Sequence, residues 1–319
     1  MRPVRTLPDL RRRVWGGSRL TPPGEPAVGE AWLAGGGSIV ADGPFAGRSL
    51  DALAAANGIR LTGTAAPRPD RFPLLAKLLD PADWLSVQVH PDDVQALDLE
   101  GPEGVGKTEA WYVIEAGAGA EILLGVSPSA TPDAVRGAIA DGGLVDLLER
   151  RRVAAGEAYL VPSGTLHAVG PGALIYEIQQ PSDVTYRCDD WGRPASAARP
   201  LHTAQSLACA RTTPWTIGVR TLADADADAV ALVACDHFVL EGLRPQRLRP
   251  IRRDPALASV HLLTAVASPA MVRGDDWAEG LKPFETLVIP ADAGAYDIEA
   301  GEGSQAIVLL ARLPSPTEP

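Results

Sequence analysis

A mainly β protein made of two barrels is the fold this sequence predicts, on three observations. Short apolar runs recur at even spacing with turn residues between them. Glycine and proline are abundant, 32 and 29 of 319 residues, which stays below the low-complexity range yet provides many turns. One strand–turn–strand pattern also returns, weakened, in the second half. With 46% hydrophobic residues the chain can bury a large core, and its length suits one large domain or two of moderate size.

Taken in order, residues 1–25 are rich in Arg and Pro and predict an irregular arm laid over a barrel. The apolar runs at 38–41, 85–90, 110–115, 120–124, 158–161 and 173–179 read as strands, at the spacing of a sandwich or barrel. Residues 50–57 and 71–79 read as helices. Thr131 caps a further helix, with Pro132 in its first turn and Asp133 on its positive end. Gly142 and Gly143 break it, and residues 144–150 predict a second short helix. This pair forms a small helical insertion at about 127–150. A boundary at Thr212-Thr-Pro-Trp215 precedes strands at 237–241, 260–264, 286–290 and 306–310. Residues 159–167 can be laid on 287–295 so that Pro162 matches Pro290, but the position of His167 is then Ala295. One aligned segment is modest evidence for a repeat. The predicted domains are 1–210, with the arm, the insertion and the candidate metal ligands, and 211–319, a degenerate second barrel without ligands.

The formal net charge of −11 argues against nucleic acid or an anionic membrane as partner, and leaves room for an anionic substrate only in a locally basic pocket. Cys188, Cys209 and Cys235 are odd in number and lack CxxC spacing, which fits reduced thiols in a cytoplasmic protein. Residues 1–20 carry Arg but no apolar stretch, so no signal peptide is expected. No apolar run reaches the ~18 residues of a membrane span.

The segment Gly156-Glu-Ala-Tyr-Leu-Val-Pro162-Ser-Gly164-Thr-Leu-His167 is a strand, a turn, and a histidine starting the next strand. That is how a small β-barrel points an imidazole into its mouth. Upstream, residues two apart on a strand share a face, so Gln88 and His90 point one way while Val87 and Val89 point into the packing. Pro91 ends that strand, and Glu109 opens a strongly apolar one. Two imidazoles, a carboxylate and an amide oxygen suit Zn²⁺ and tolerate Mn²⁺, Fe²⁺ or Co²⁺. Two histidines and a carboxylate also describe a non-haem iron site, so the residues alone do not choose the metal. Each residue has a plainer reading too: a packed core histidine, a Glu109–Lys107 ion pair, a glutamine bonded to backbone. His202, His237 and His261 have no comparable setting and are read as ordinary.

Further stretches carry a resemblance. They are Phe72-Pro-Leu-Leu-Ala-Lys77-Leu-Leu-Asp, Leu85-Ser-Val-Gln-Val-His90-Pro-Asp-Asp93, Gly106-Lys107-Thr-Glu109-Ala-Trp-Tyr-Val, Pro162-Ser-Gly-Thr-Leu-His167, Glu177-Ile-Gln-Gln-Pro-Ser-Asp-Val-Thr-Tyr-Arg187 and Asp190-Trp-Gly-Arg193. With the Gly156 segment, which fits the general second cupin motif, they make the chain similar to the mannose-6-phosphate isomerases in their short bacterial two-cupin form, densely from residue 72 to about 202. The resemblance implies two cupin (jelly-roll) barrels and one Zn²⁺ per chain held by Gln88, His90, Glu109 and His167. Bacterial members are often described with the two histidines and the glutamate alone. It implies Arg187 as the catalytic arginine, with Lys77 and Lys107 lining the active site. The reaction implied interconverts D-mannose 6-phosphate and D-fructose 6-phosphate through a cis-enediolate. Its base is left among Lys107, Lys77, and a carboxylate or water beside the metal. Donors to the phosphate come from Arg187, Arg193, Lys77 and Ser86, although Arg193 also suits an ion pair with Asp189 or Asp190. The chain departs from the family at Pro181, often Asn, and at Ala34-Gly-Gly-Gly-Ser38, in place of a longer polar run. The partner expected is a small sugar phosphate, with no nucleic acid or membrane, in a monomer or homodimer. Two other functions fit parts of the pattern: a metal-dependent cupin oxygenase, and a non-catalytic phosphosugar-binding cupin.

Overall fold

Antiparallel strands carry most of the ordered chain. The computed structural model describes residues 1–194, 199–214, 218–222, 227–301 and 305–315; Trp215 of the expected boundary lies outside them. The chain divides into two compact units. One comprises Met1–Leu10, Ala31–Leu78 and Arg220–Pro319, the other Arg11–Glu30 and Leu79–Val219. This division is not the sequential one expected with a boundary near 210. Residues 1–10 cluster with the C-terminal half because the strand Val4–Arg5 pairs with Thr286–Ile289.

The second unit holds every candidate metal ligand. Its five-stranded sheet runs in the order Tyr186–Asp189, Val87–Val89, His167–Val169, Glu121–Val126, Leu148–Arg152. A second run of strands places Glu109–Ala116 between Glu157–Val161 and Ala173–Gln179. Trp111, Val113, Tyr159, Val161 and Ile175 from this run pack with Ile122, Leu124 and Val169 from the five-stranded sheet in one core cluster. The opposite face of the five-stranded sheet is covered as well. Val87, Val89, Leu123 and Ala168 pack there with Val135, Ile139 and Leu144 of the insertion. Val87 and Val89 therefore face outward into packing, as alternation required, and Gln88 is left on the inner face.

Two expected helices are strands. Residues 75–79 of the run read as helix over 71–79 form the strand Leu75–Leu79, buried at every position. A short apolar run buried on both faces does not show by periodicity which element it is. Residues 144–150 form a single 3₁₀ turn, Leu144–Leu147, and then the strand Leu148–Arg152, which pairs with Glu121–Val126. Gly143 enters that turn with a left-handed φ of 85°, and the basic stretch after it alternates between half-buried and exposed positions. The helix at 50–57 and the insertion helix Pro132–Asp141 form as expected, the latter with Thr131 Oγ1 accepting the Ala134 N–H. Residues 38–41 make only isolated bridges.

The first unit contains a six-stranded sheet in the order Val4–Arg5, Thr286–Ile289, His261–Ala265, Val308–Arg312, Val239–Leu243, Ala229–Ala234, and a four-stranded sheet in the order Ile251–Arg253, Tyr296–Ala300, Ala270–Arg273, Ala278–Leu281. Leu263, Leu287, Ile289 and Leu310 from the first pack with Val272, Tyr296 and Ile298 from the second. The echo seen in the sequence has a structural counterpart. In each unit a strand leads through a turn holding a left-handed glycine, Gly164 or Gly294, into the next strand. His167 opens that strand in one unit, and Ala295 directly precedes it in the other. Along the basic run at 244–253, Leu248 is exposed, but Ile251–Arg253 is a strand and Arg253 pairs with Glu241 at 2.7 Å.

Candidate metal centre

His90, Glu109 and His167 come together from three strand ends, and their ligand atoms all lie within 4.8 Å of one another. All three are buried. His90 Nε2 is 3.4 Å from Glu109 Oε2, and His167 Nε2 is 3.3 Å from Glu109 Oε1. Two ligands of a tetrahedral ion bound at 2.0–2.1 Å are themselves about 3.3–3.4 Å apart. Each histidine nitrogen thus already stands from a Glu109 oxygen at the separation such an ion requires.

The imidazoles are aimed by backbone. His90 Nδ1 lies 2.8 Å from Val184 O, and His167 Nδ1 lies 2.8 Å from Thr165 O. A carbonyl can only accept, so each Nδ1 carries the proton and each Nε2 presents its lone pair to the centre. The turn before His167 needs Gly164. Its φ is +79°, and a Cβ there would meet Cys209 O at 3.0 Å. Its N–H donates to His90 O at 2.8 Å, which ties the two histidine segments together.

The electrostatics are those of a site made for a cation. Burial pushes the pKa of His90 down to about 3, helped by the Lys107 charge. Burial also lowers that of His167, so both imidazoles are neutral. Burial opposes ionisation of Glu109, but Lys107 and the two histidines outweigh it and hold the carboxyl well below its usual range. Lys107 Nζ sits 2.9 Å from Glu109 Oε2 and 3.2 Å from His90 Nε2. Burial works against its charge, but Glu109 and then Glu177 raise its pKa above the ordinary value. Neither Glu109 oxygen receives a well-formed hydrogen bond. Buried carboxylate oxygens in that condition call for a cation. Two neutral imidazoles and a carboxylate match the donors of Zn²⁺ and of other divalent transition metals.

Gln88 lies beside this set. It is the cross-strand partner of both His167 and Arg187, and its Nε2 donates to His167 Nε2 at 3.1 Å. The amide therefore occupies the lone pair a cation would use, and it would have to turn to present Oε1. Arg187 is half-buried. It donates to Pro200 O at 2.9 Å, while its Nε is buried without a partner. Burial and then Arg199 lower its pKa, yet a guanidinium stays charged at neutral pH. Arg193 makes the expected ion pair with Asp190 at 3.0 Å, and another with Asp83 at 2.7 Å. Ser86 is buried just before the strand Val87–Val89. Lys77 belongs to the other compact unit, where its ammonium lies 4.8 Å from the centre of the Trp32 ring. The histidines read as ordinary behave so: His202 Nδ1 accepts the Arg187 N–H, and His261 Nδ1 meets Tyr296 OH.

Sequence reasoning placed Glu177, Gln179 and Gln180 in a stretch that carries the resemblance but gave them no role. Glu177 accepts from Trp111 Nε1 at 3.2 Å, and Trp111 stands edge-on to His167. The signal was available: Glu177 and Gln179 are polar residues two apart in an otherwise apolar strand, hence on one face.

Comparison with known proteins agrees with this architecture. Residues 14–104 match the phosphomannose isomerase type I catalytic domain. A mannose-6-phosphate isomerase of Streptococcus mutans is 43% identical over 211 residues, covering 62% of this chain and 65% of that protein. ManA of Bacillus subtilis, also a mannose-6-phosphate isomerase, is 39% identical over 215 residues, covering 64% of this chain and 67% of that protein. The aligned region thus spans about two thirds of the curated relatives it matches. The crystal structure of a mannose 6-phosphate isomerase from Bacillus subtilis superposes with a TM-score of 0.84 at 28% identity, over 98% of this chain and 99% of that one. Sequence and fold together establish that the chain belongs to the mannose-6-phosphate (phosphomannose) isomerase family.

Proposed function

We propose that this chain interconverts D-mannose 6-phosphate and D-fructose 6-phosphate, with one Zn²⁺ held by His90, Glu109 and His167 and with Gln88 as an additional ligand. The observation that carries the reading is the buried His90–Glu109–His167 set, whose spacing and donor types fit a divalent ion. The catalytic barrel is then the unit formed by residues 11–30 and 79–219. The other barrel is a degenerate copy with no such cluster among the described residues.

Moving a proton between C1 and C2 of the sugar requires stabilising negative charge on two adjacent oxygens of a cis-enediolate. A bound zinc ion supplies Lewis-acid polarisation of those oxygens. Arg187 adds a permanent positive charge on the Gln88 side of the set, and its unpartnered Nε is the donor free to meet an anionic oxygen. Lys107 holds a proton at Nζ beside Glu109 and His90. His90, Lys107, Glu109 and His167 are buried, with Trp111 edge-on to His167, and exclusion of water strengthens the charges among them. Arg187, Ser86 and Lys107 are the groups we assign to substrate binding, and a sugar phosphate is the partner that suits them. Three free thiols, two of them buried, fit a reducing cytoplasm. Among the described residues, no helix is long and apolar enough to cross a membrane.

The test is direct. Metal-loaded protein is given fructose 6-phosphate and mannose 6-phosphate is assayed, before and after chelation. Turnover that the chelator abolishes and Zn²⁺ restores is the expected result. No turnover, with oxygen consumed instead, would replace the isomerase by a cupin oxygenase.

A further inference from the structure

The Gln180 side chain joins three segments that meet behind the ligand set. Its Oε1 accepts the Thr108 N–H at 2.8 Å, and its Nε2 donates to Asp93 Oδ1 at 3.0 Å. The same Asp93 oxygen accepts the Gly106 N–H at 2.8 Å. The Gln180 N–H donates to Thr108 O at 3.2 Å. One residue therefore holds both main-chain groups of Thr108, and through Asp93 it holds Gly106 as well. At Gly106 the backbones are so close that a Cβ would lie 2.6 Å from Asp93 N.

Thr108 sits between Lys107 and Glu109. Fixing the main chain at Gly106 and at both groups of Thr108 fixes the course of the backbone that carries Lys107 and Glu109, and so the direction from which they reach their 2.9 Å contact. The rest of the segment reinforces the mount. Gln179 Nε2 donates to Ser182 O, and Ser182 Oγ donates to Val105 O at 2.8 Å. Val184 O, two residues on, is the acceptor that aims His90. Only an amide can do what Gln180 does here. It must offer an acceptor to Thr108 and a donor to a carboxylate, which neither Glu nor a hydrocarbon can supply.

We propose that Gln180 is a positioning residue: acting through Thr108 and Asp93, it sets where Lys107 and Glu109 stand, without touching cation or substrate. The activity part of its test rests on the isomerase reading, but the spectroscopic part does not. The experiment compares the Co²⁺-loaded parent protein with Gln180→Leu and Gln180→Glu. The d–d absorption of Co²⁺, the melting temperature, and kcat and KM for fructose 6-phosphate are measured on each. Groups that orient metal ligands typically contribute about ten- to a hundredfold. We expect each variant to lose about tenfold or more in kcat with KM within about threefold, and to shift the cobalt bands. A lower melting temperature with parental bands and kcat would overturn the proposal. If the parent itself gives no turnover, the isomerase reading fails and the cobalt bands alone decide the role of Gln180.

Discussion

Lys107 and Glu109 form a buried ion pair inside the ligand set, with Nζ 2.9 Å from Oε2. The ammonium is the counter-charge of a carboxylate that two histidines also face. Removing one partner of a buried pair strands the other and costs about 3–5 kcal/mol. Lys107→Met should therefore destabilise the chelated protein by about that much. A bound divalent ion re-pairs Glu109, so the variant should gain more melting temperature from Zn²⁺ than the parent does. Thermal scans with and without the ion check this. Equal gains in the two proteins would show that the ammonium is not the partner Glu109 depends on.

Arg187 contacts none of the three clustered ligands in the hydrogen bonds it makes. Arg187→Ala should retain one equivalent of zinc and lose at least about a hundredfold in kcat/KM, the scale of a charged donor to a developing anion. Metal analysis beside steady-state rates decides it. If metal content and rate both survive, the assigned role is wrong.

Gly164→Ala tests the turn. A side chain at φ +79° is strained, and its Cβ would press on Cys209 O at 3.0 Å. A loss of about 1–3 kcal/mol in denaturant unfolding is expected. Zinc affinity should weaken too, because the Gly164 N–H bonded to His90 O is part of the displaced turn.

His261 gives stability a pH dependence of its own. Burial, with Arg312 and Arg253, pushes its pKa from 6.5 down to about 3. The folded protein thus binds fewer protons than the unfolded chain between those two values. Stability must then fall as pH drops through this window, by about 1.4 kcal/mol per pH unit from this one group, and level off below it. His261→Gln should flatten the slope of unfolding free energy between pH 6.5 and 3. A slope as steep as the parent's would assign the effect to other groups.

Much of the fold and site could be read in the chain. Alternation at 85–90 separated Gln88 and His90 from Val87 and Val89, and the packing agrees. The Gly156–His167 segment placed its histidine at the start of a strand, where it stands. Local sequence was silent where long-range pairing decides. Residues 75–79 carry an apolar run compatible with helix or buried strand, and only burial on both faces selects the strand. The Gln180–Thr108 contact spans 72 positions, and no spacing rule reaches that far. The membership of residues 1–10 in the C-terminal unit rests on a two-residue strand, Val4–Arg5, too short to carry any periodic signal.

The two carbonyls that aim the histidines, Val184 O and Thr165 O, belong to the main chain. Orientation of the ligands is therefore written in the course of the backbone and not in any side chain. Substitutions at 165 or 184 that keep the turns can accumulate without unsettling the imidazoles, so these positions are free to drift while the ligands are not.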